Sequence, residues 1–273
     1  MRQTAGFLGA QTLDVARLRT DVGKPDASTL YILGSGSSVE KLSTLDFKHI
    51  GGQCSIGINA WPLHDFVPDA FAFEPVPRRD SDHFHTMSLL AREDIVRKQP
   101  LVLFLKPRDQ VEIEQFFQVP LELRGRVRMY GRVQPLTRRL RNLGVDLRLL
   151  FAHLRRSVHP IAIDSGASIL RLCYIGMLAG FARIVFVGVD LNTTQYFWEK
   201  NPTYLEKRGL EKFSSGQVGG VHETLNPDNR PFVVTDMVGA LSGIAGDRGI
   251  ELSVASETSE LAGTIKVHRF GEP

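Results

Sequence analysis

Short apolar runs, separated by segments long enough to form helices, constrain the fold of this sequence more than any other feature. The runs lie at residues 29–33, 55–58, 70–73, 101–105, 183–187 and 250–254. Helical patterns lie at 39 onward, 84–98, 109–118, 164–181 and 232–247. Buried strands that alternate with helices predict an α/β fold, a doubly wound, mostly parallel, Rossmann-like sheet with helices on both faces.

The length of the chain suits one such domain. Its 273 residues are 42% apolar, which is enough for a sizeable core. No run of about 18 apolar residues predicts a transmembrane helix, and the first residues lack the apolar segment of a secretory signal. We expect an N-terminal lead-in at 1–28, one α/β ligand-binding domain at 29–260 and a C-terminal tail at 261–273.

The two cysteines indicate a reducing environment. Cys54 and Cys173 are too few for a disulfide framework or a four-ligand zinc site. We interpret them as buried thiols, which are typical of a cytoplasmic protein.

Positive charge is concentrated in one segment. Ten arginines and no lysine lie at 124–156 with one acid, Asp146, so this segment carries +9 and the rest of the chain −6. Leucines at helical spacing predict an arginine-rich helical segment at 121–160. The arginines are either a solvated face or a surface for an anionic glycan, a glycolipid or the inner membrane. Aromatic residues are sparse there, which argues against nucleic acid.

The loops that follow predicted strands are the first places to seek a ligand, because parallel sheets bind ligands at the carboxyl ends of their strands. Gly34, Ser35, Gly36 and Ser37 follow the first strand directly. Such a loop either brings backbone N–H groups to a phosphate or nucleotide, or is a tight turn without a ligand. It matches neither the P-loop nor the dinucleotide fingerprint.

Three further polar motifs lie at strand ends or at a helix start. Asn59 either caps the next helix or hydrogen-bonds a sugar or base. Ser165 and Gly166, which follow Asp164, either cap a helix or face the same ligand. Asp190 either stabilises its own loop or holds a ribose or a metal.

Residues 191–230 are polar and rich in Gly, Asn and Pro. So long a segment inside a compact domain is typical of a lid. It contains Tyr196, Tyr204 and His222. The tyrosine hydroxyls are candidate donors to a leaving phosphate, and the histidine is a candidate general base near neutral pH.

Several common catalytic motifs are missing from the sequence. There is no Cys/His metal cluster, no Gly-x-Ser-x-Gly and no His-Glu-x-x-His. Asp80-Ser81-Asp82 has the letters of a metal-binding Asp-x-Asp, but it follows two arginines in a surface-like loop, and we interpret it as a chance match. These absences argue against a metalloenzyme or a serine hydrolase.

In order and spacing, these motifs resemble those of the bacterial CMP-sialic-acid-dependent sialyltransferases of the Campylobacter type. The resemblance spans about residues 29–260. Its short matches are Gly34-Ser35-Gly36-Ser37-Ser38, Ile58-Asn59, Glu74-Pro75, Asp164-Ser165-Gly166, Val187-Gly188-Val189-Asp190-Leu191 and Val221-His222-Glu223. Ser35 and Glu74 stand where that family has asparagines. A broader related group, which includes archaeal pterin pyrophosphokinases, shares the loop-and-helix pattern.

The resemblance implies a GT-A-like variant of the fold and a glycosyltransferase of surface polysaccharide biosynthesis, such as that of lipopolysaccharide or capsule. The implied reaction is an inverting, metal-independent transfer of a sialic-acid-like or Kdo-like 2-keto acid sugar from a CMP donor, with no cofactor. His222 would deprotonate the acceptor hydroxyl, and Tyr196 and Tyr204 would hydrogen-bond the departing phosphate. The residues implied to bind the donor are Gly34, Ser35, Gly36, Ser37, Asn59, Glu74, Ser165, Gly166 and Asp190.

Two alternatives remain open from the sequence. One is a pyrophosphokinase-like enzyme that uses ATP and Mg²⁺, with Asp190 near the metal. The other is a catalytically idle protein that binds a nucleotide or glycan, which Ser35 and Glu74 would favour. A homo-oligomer is compatible with each of these hypotheses.

Overall fold

A parallel β-sheet forms the centre of the computed structural model. The model describes residues 10–74, 86–107, 110–133, 139–154, 161–163, 167–193, 195–210, 222–226 and 232–271. The strands are β1 (Gln11–Thr12), β2 (Thr29–Leu33), β3 (Cys54–Ile58), β4 (Ala70–Phe73), β5 (Leu101–Leu105), β6 (Val127–Val133), β7 (Ile161–Ile163), β8 (Arg183–Val187), β9 (Glu251–Val254) and β10 (Lys266–Val267). Every pairing between these strands is parallel.

Helices connect the strands. The α-helices are α1 (Leu18–Asp21), α2 (Thr44–Gly51), α3 (Glu93–Lys98), α4 (Gln110–Phe116), α5 (Leu121–Arg124), α6 (Leu140–Leu154), α7 (Ser168–Leu178), α8 (Phe197–Lys200), α9 (Thr203–Glu206) and α10 (Val234–Gly246). Short 3₁₀ helices lie at Val15–Arg17, Ser37–Lys41, Trp61–Leu63, Leu89–Ala91, Glu223–Leu225 and Glu260–Gly263. The helix that we expected from residue 39 is therefore a 3₁₀ turn, followed by α2 with a Ser43–Asp46 capping box.

The strand order places a reversal of chain direction between β2 and β8. The order is β1-β6-β5-β4-β3-β2-β8-β9-β10, and β7 pairs with the end of β6 beyond β1. From β2 the chain moves outward through β3, β4, β5 and β6, then returns to β8 and moves the other way. Such a reversal leaves a crevice at the carboxyl ends of the two strands, which is the usual ligand site of an open α/β sheet.

Both faces of the sheet are covered. One face packs against α6, α7 and α10, with Leu147, Leu172 and Leu241 fully buried or nearly so. The other face packs against α2 and α3 and includes Trp61 and Phe197. Because helices cover both faces, the central strands β2, β3, β4 and β5 are buried along their whole length and are largely apolar. The predicted doubly wound parallel α/β fold is confirmed.

The helical prediction for the arginine-rich segment 121–160 is confirmed for α5 and α6 but wrong for Val127–Val133, which form the strand β6. Arg128 lies on this strand with 9% of its surface exposed, and its Nε is 3.7 Å from Asp21 Oδ2. Arg126 donates to the carbonyl oxygens of Gln99 and Asp21 at 3.0 and 2.8 Å. Oxygen atoms of residues far away in the sequence thus stabilise arginines in and next to β6, where the local pattern predicts a solvated helix.

Other arginines of this segment also contact the protein itself. Arg124 donates to the carbonyl oxygens of Phe117 and Val119, and Arg148 donates to Asp247 at 3.0 Å. For these side chains the contacts support a structural role over a surface for an anionic partner.

Chain ends that we expected to be peripheral belong to the sheet. Gln11 pairs with Arg128 in β1, and Lys266 pairs with Ser253 in β10. Phe270 then stacks on the buried Tyr31 with ring centroids 6.0 Å apart. We therefore assign residues 10–28 and 261–271 to the domain rather than to a lead-in and a tail. Within the described residues, no helix has both the length and the apolar character needed to cross a membrane.

Candidate functional site

The loops after β2 and β8 meet at the crevice and are joined by hydrogen bonds. Gly34 N donates to Val187 O, and Gly36 N donates to Gly188 O, both at 2.7 Å. Asp190 is 5% exposed and accepts from Ser38 N at 2.9 Å and also from Ser38 Oγ. Both carboxylate oxygens thus bind the Gly34–Ser38 loop, which supports the loop-stabilising interpretation of Asp190. A direct contact of Asp190 with a ligand stays a prediction.

The glycines of these loops are required by the close approach of the two backbones. A Cβ on Gly36 would lie 2.6 Å from Asp190 Oδ2. Gly188 has φ +63°, and a Cβ there would lie 2.4 Å from Gly34 O and from Val39 Cγ2. The sequence predicted glycines that let a ligand approach, but the contacts show that loop packing alone requires them.

Ser35 has a buried hydroxyl at the centre of this junction. The residue is 8% exposed, and its Oγ has no hydrogen-bond partner in the described part of the chain. Its carbonyl oxygen accepts from Phe197 N at 3.1 Å. A buried hydroxyl without a partner is costly, so its presence in this loop needs a reason, and a bound polar group would supply one.

Asn59 follows β3, the neighbour of β2. Its φ is +51°, in the left-handed region that asparagine tolerates better than most residues. The following 3₁₀ helix has Ala60 as its N-cap, with no side-chain cap hydrogen bond. The exposed Asn59 amide has no partner among the described residues. The capping interpretation of Asn59 is therefore wrong, and its amide is available to a ligand.

Glu74, at the end of β4, binds two arginines. Its carboxylate forms an ion pair with Arg171, which is fully buried in α7, and lies 3.6 Å from Arg132. Ser168 Oγ donates to the same carboxylate at 3.3 Å. Where the resembling family has an amide, this chain thus has the counterion of a buried guanidinium, a role that sequence reasoning missed.

The first part of the predicted lid is built into the core. Tyr196 bridges to Gly36, and Ser37 N donates to Gln195 O at 3.2 Å. Phe197 and Trp198 are 0% and 2% exposed. The expectation of a lid over 191–230 is therefore corrected for 196–200, because these aromatic side chains anchor the segment against the Ser37–Lys41 turn. The ring of Tyr196 stacks on Trp198 with centroids 4.6 Å apart.

Tyr204 lies against the aromatic cluster of the loop after β3. Its ring stacks on His64 with centroids 5.2 Å apart. Burial, together with a hydrogen bond to Glu40 and the charge of Glu40, raises the pKa of Tyr204 above its ordinary value. Asn201 Nδ2 also donates to Glu40, at 3.1 Å. These contacts favour a structural role for Tyr204, and its predicted role toward a phosphate is untested.

His222 is held next to the Asp190 loop by its backbone. His222 N donates to Leu191 O at 3.1 Å, and Leu191 has φ +63°. The Nδ1 of the half-buried ring is 2.8 Å from Thr224 Oγ1 and 3.3 Å from Thr224 N. The fold thus brings His222 to the same junction as Gly36 and Asp190, although more than thirty residues separate them.

Two clefts open beside the junction and share Ser38, Lys41 and Thr258 in their walls. The smaller is about 230 Å³ and includes Ser37 and Asp190. The larger is about 510 Å³ and extends to the ends of β9 and β10. The volume of the larger cleft lies in the range of about 300–1,000 Å³ that is common for small-molecule sites.

Two of the predicted donor-binding residues are not among the described residues. Ser165 and Gly166 fall outside the described residues, as does Asp80-Ser81-Asp82. In the described part of the chain, no three His, Cys, Asp or Glu side chains are grouped as metal ligands. The described site residues do gather at one edge of the sheet, as the strand-end rule predicts.

No protein-family model and no curated protein matches the sequence. Solved structures similar to the chain include the sialyltransferase CST-II with a Tyr-to-Phe substitution in complex with CMP, at 13% identity and a TM-score of 0.48 over 89% of this chain and 86% of that one. CST-II with a trisaccharide acceptor and CMP gives 12% and 0.46 over 88% and 86%. CstII from Campylobacter jejuni with cytidine-5'-monophosphate gives 13% and 0.45 over 89% and 85%. The α/β fold described above rests on the sheet topology of this chain, independently of these structures.

Proposed function

We propose that this chain is a glycosyltransferase that moves a sialic-acid-like or Kdo-like sugar from a CMP donor to a surface glycan, with inversion and without a metal. The proposal depends on one observation: the Gly34–Ser38 loop, Asp190 and His222 converge at the crevice between the carboxyl ends of β2 and β8. The exposed Asn59 amide at the next strand end and the buried Ser35 hydroxyl add polar groups suited to a nucleotide.

In this proposal the strand-end loops bind the donor. The loop of Gly34, Ser35, Gly36 and Ser37 borders the nucleotide. The N–H groups of Gly34, Gly36 and Ser37 already donate within the protein, so the Ser35 hydroxyl is the proposed donor from this loop, and the Asn59 amide hydrogen-bonds the base or ribose. Glu74 would lie toward the sugar, and Ser165 and Gly166 would lie near the sugar carboxylate. Tyr196 donates a hydrogen bond to the phosphate, with Tyr204 as a second candidate donor.

His222 is the proposed general base. Its imidazole takes the proton of the acceptor hydroxyl while the hydroxyl oxygen forms the new bond to the anomeric carbon. The bond from that carbon to the phosphate oxygen breaks, and CMP leaves with the electron pair. The phosphate is already a good leaving group, so positioning, one base and hydrogen bonds to the phosphate suffice.

Calorimetric titration of the protein with CMP in the presence of EDTA tests the donor assignment. We expect binding of CMP without metal. Binding of ATP with Mg²⁺ alone would favour the pyrophosphokinase-like alternative, in which Asp190 is near the metal. CMP binding without transfer from CMP-sialic acid or CMP-Kdo to any tested acceptor would favour the idle binding protein. The ion pair of Glu74 with Arg171 fits that alternative, because it occupies a carboxylate that the resemblance assigns to donor binding.

An isosteric substitution of Asn59 localises the site. Asn59→Asp keeps the size of the side chain and its tolerance of positive φ, but removes two donors and adds a negative charge. We expect CMP affinity to fall at least about tenfold. The matched control is Asn142→Asp in α6, also an exposed asparagine, which should leave the affinity unchanged.

We also propose that the outer face of α6 meets the acceptor, as an anionic glycolipid at the inner membrane surface. Val145 and Leu149 are 60% and 66% exposed on this face, and the exposed Arg139 precedes it. Two exposed apolar side chains on one helix face suit insertion at a lipid interface. Val145→Ser with Leu149→Ser should reduce sedimentation with vesicles containing an anionic phospholipid. Equal sedimentation of variant and wild type would contradict lipid binding and indicate that this face of α6 is simply solvated.

A further inference from the structure

We propose that Arg208 is a positioning residue for the Asn59 amide, because it fixes the loop after β3 to the segment 195–210, which we call the strap. The proposal rests on the proposed function for its effect on CMP binding, but the contact itself belongs to the protein without ligand. Neither the pattern of the sequence nor the resemblance singles out Arg208.

The first part of the strap is fixed on the loop after β2. Phe197 N donates to Ser35 O at 3.1 Å. Asn201 Nδ2 donates to Glu40 Oε2 at 3.1 Å, in the 3₁₀ turn that continues this loop. Two hydrogen bonds from separate positions of the strap thus hold it against the loop that carries the Ser35 hydroxyl.

Arg208 fixes the other end of the strap on the loop after β3. Its Nη2 donates to Asp65 Oδ1 at 2.6 Å, and its Nε donates to Leu63 O at 3.3 Å. Only 14% of the Arg208 side chain is exposed. One largely buried guanidinium thus binds two acceptors of the same loop. The planar fork of an arginine suits two such acceptors, and the single ammonium nitrogen of a lysine does not reproduce it.

Aromatic rings pack between the two ends of the strap. The ring of Tyr204 stacks on His64 with centroids 5.2 Å apart, and the ring of Phe197 meets His64 edge-on at 5.3 Å. Arg92 also binds this loop, through Pro62 O and His64 O, but it lies at the start of α3 and not on the strap. Hydrogen bonds require a distance and a direction, so the Arg208 fork is the contact that fixes the register of the loop on the strap.

The loop is ordered between the Arg208 acceptors and Asn59. Leu63 N donates to Ala60 O at 3.0 Å, and His64 N donates to Trp61 O at 2.9 Å. A displacement of Leu63 therefore moves the turn that begins directly after Asn59. The strap in this way links the Asn59 amide to the loop of the Ser35 hydroxyl, and a nucleotide that contacts both groups gains affinity when they are held in place before it binds.

Amide hydrogen exchange of the full chain, followed by NMR without ligand, tests the contact. The amides of Leu63 and His64 should exchange about tenfold faster in Arg208→Gln than in the wild type, because the turn opens more often. Arg208→Lys keeps the charge but not the fork and should also exchange faster. The matched control is Lys207→Gln. Lys207 is the next residue, is 55% exposed and donates to Asp65 at 2.7 Å, and its loss should leave both rates unchanged. Equal rates in Arg208→Gln and the wild type overturn the inference.

Calorimetric titration with CMP tests whether Arg208 acts through Asn59. Arg208→Gln should lower the CMP affinity about fivefold in the wild-type background. In the Asn59→Asp background the same change should lower it less than about twofold, because the amide that Arg208 positions is already gone. Equal losses in the two backgrounds would overturn the inference, since they indicate a general effect on the fold. Absence of CMP binding by the wild type would overturn the proposed function instead, and the exchange rates would still decide whether Arg208 fixes the loop.

Discussion

Asp190 and Ser38 join the loops that follow β8 and β2, because the Asp190 carboxylate accepts from both the backbone N–H and the hydroxyl of Ser38. The two residues are 152 positions apart in the sequence and both are buried. They hold the Gly34–Ser38 loop in the shape that the proposed donor site requires. Changes at this pair should therefore affect stability and CMP binding together.

Asp190→Asn tests that coupling. The amide places a donor where Ser38 needs an acceptor, so we expect a loss of about 1–3 kcal/mol in the free energy of unfolding and weaker CMP binding. Urea unfolding and calorimetry provide the measurements. Asp247→Asn is the control, because Asp247 is 61% exposed and pairs with Arg148 at the surface, where such a pair contributes at most about 1 kcal/mol. Similar losses in both variants would contradict the special role of the Ser38 contact.

Gly188→Ala should be far more destabilising than an alanine at another glycine of similar conformation. Gly188 and Gly249 have φ +63° and +69°, but a Cβ at Gly188 would clash with Gly34 O and Val39, whereas Gly249 has nothing within 4 Å. We expect about 1 kcal/mol for Gly249→Ala from φ alone and at least about 3 kcal/mol for Gly188→Ala, since overpacking adds to the strain. Equal midpoints in urea would show that the loops relax easily.

His64 should make stability depend on pH. Burial lowers the pKa of His64 from 6.5 to about 4, against a smaller opposing effect of Asp65. Between these values the unfolded chain binds a proton that the folded chain does not. The free energy of unfolding therefore falls as pH falls from 6.5 to 4, by up to about 3 kcal/mol from this residue. His64→Gln should flatten the decline, and the exposed His49→Gln should leave it unchanged.

Glu74→Gln removes the charge that faces the buried Arg171. We expect a loss of about 2–3 kcal/mol, below the range for a fully buried pair because Glu74 remains 31% exposed. The control is Glu251→Gln, whose partner Arg183 is 36% exposed, with an expected loss under about 1 kcal/mol. Thermal unfolding at constant pH compares the two. A negligible effect of Glu74→Gln would mean that contacts other than the Glu74 carboxylate stabilise the buried Arg171 guanidinium.

Local pattern predicted the central strands closely. The runs at 29–33, 70–73 and 101–105 are strands with those bounds, because a strand buried on both faces is apolar throughout and is marked by the glycine and polar residues that follow it. The same rule identified the loops of the candidate site. The strands β1, β6, β7 and β10 escaped prediction, since three of them have only two or three residues and β6 alternates arginines with apolar residues.

The α/β class, the central strands and the strand-end loops follow from local sequence, because they depend on the hydrophobicity and spacing of neighbouring residues. Which polar groups meet depends on how the whole chain folds. The tertiary structure pairs Asp190 with Ser38, Glu74 with Arg171 and His222 with Leu191 and Thr224, and leaves the Asn59 amide exposed. Most of these pairings join residues from distant parts of the chain, and a hydrogen bond depends on distance and direction in space, which no local pattern encodes.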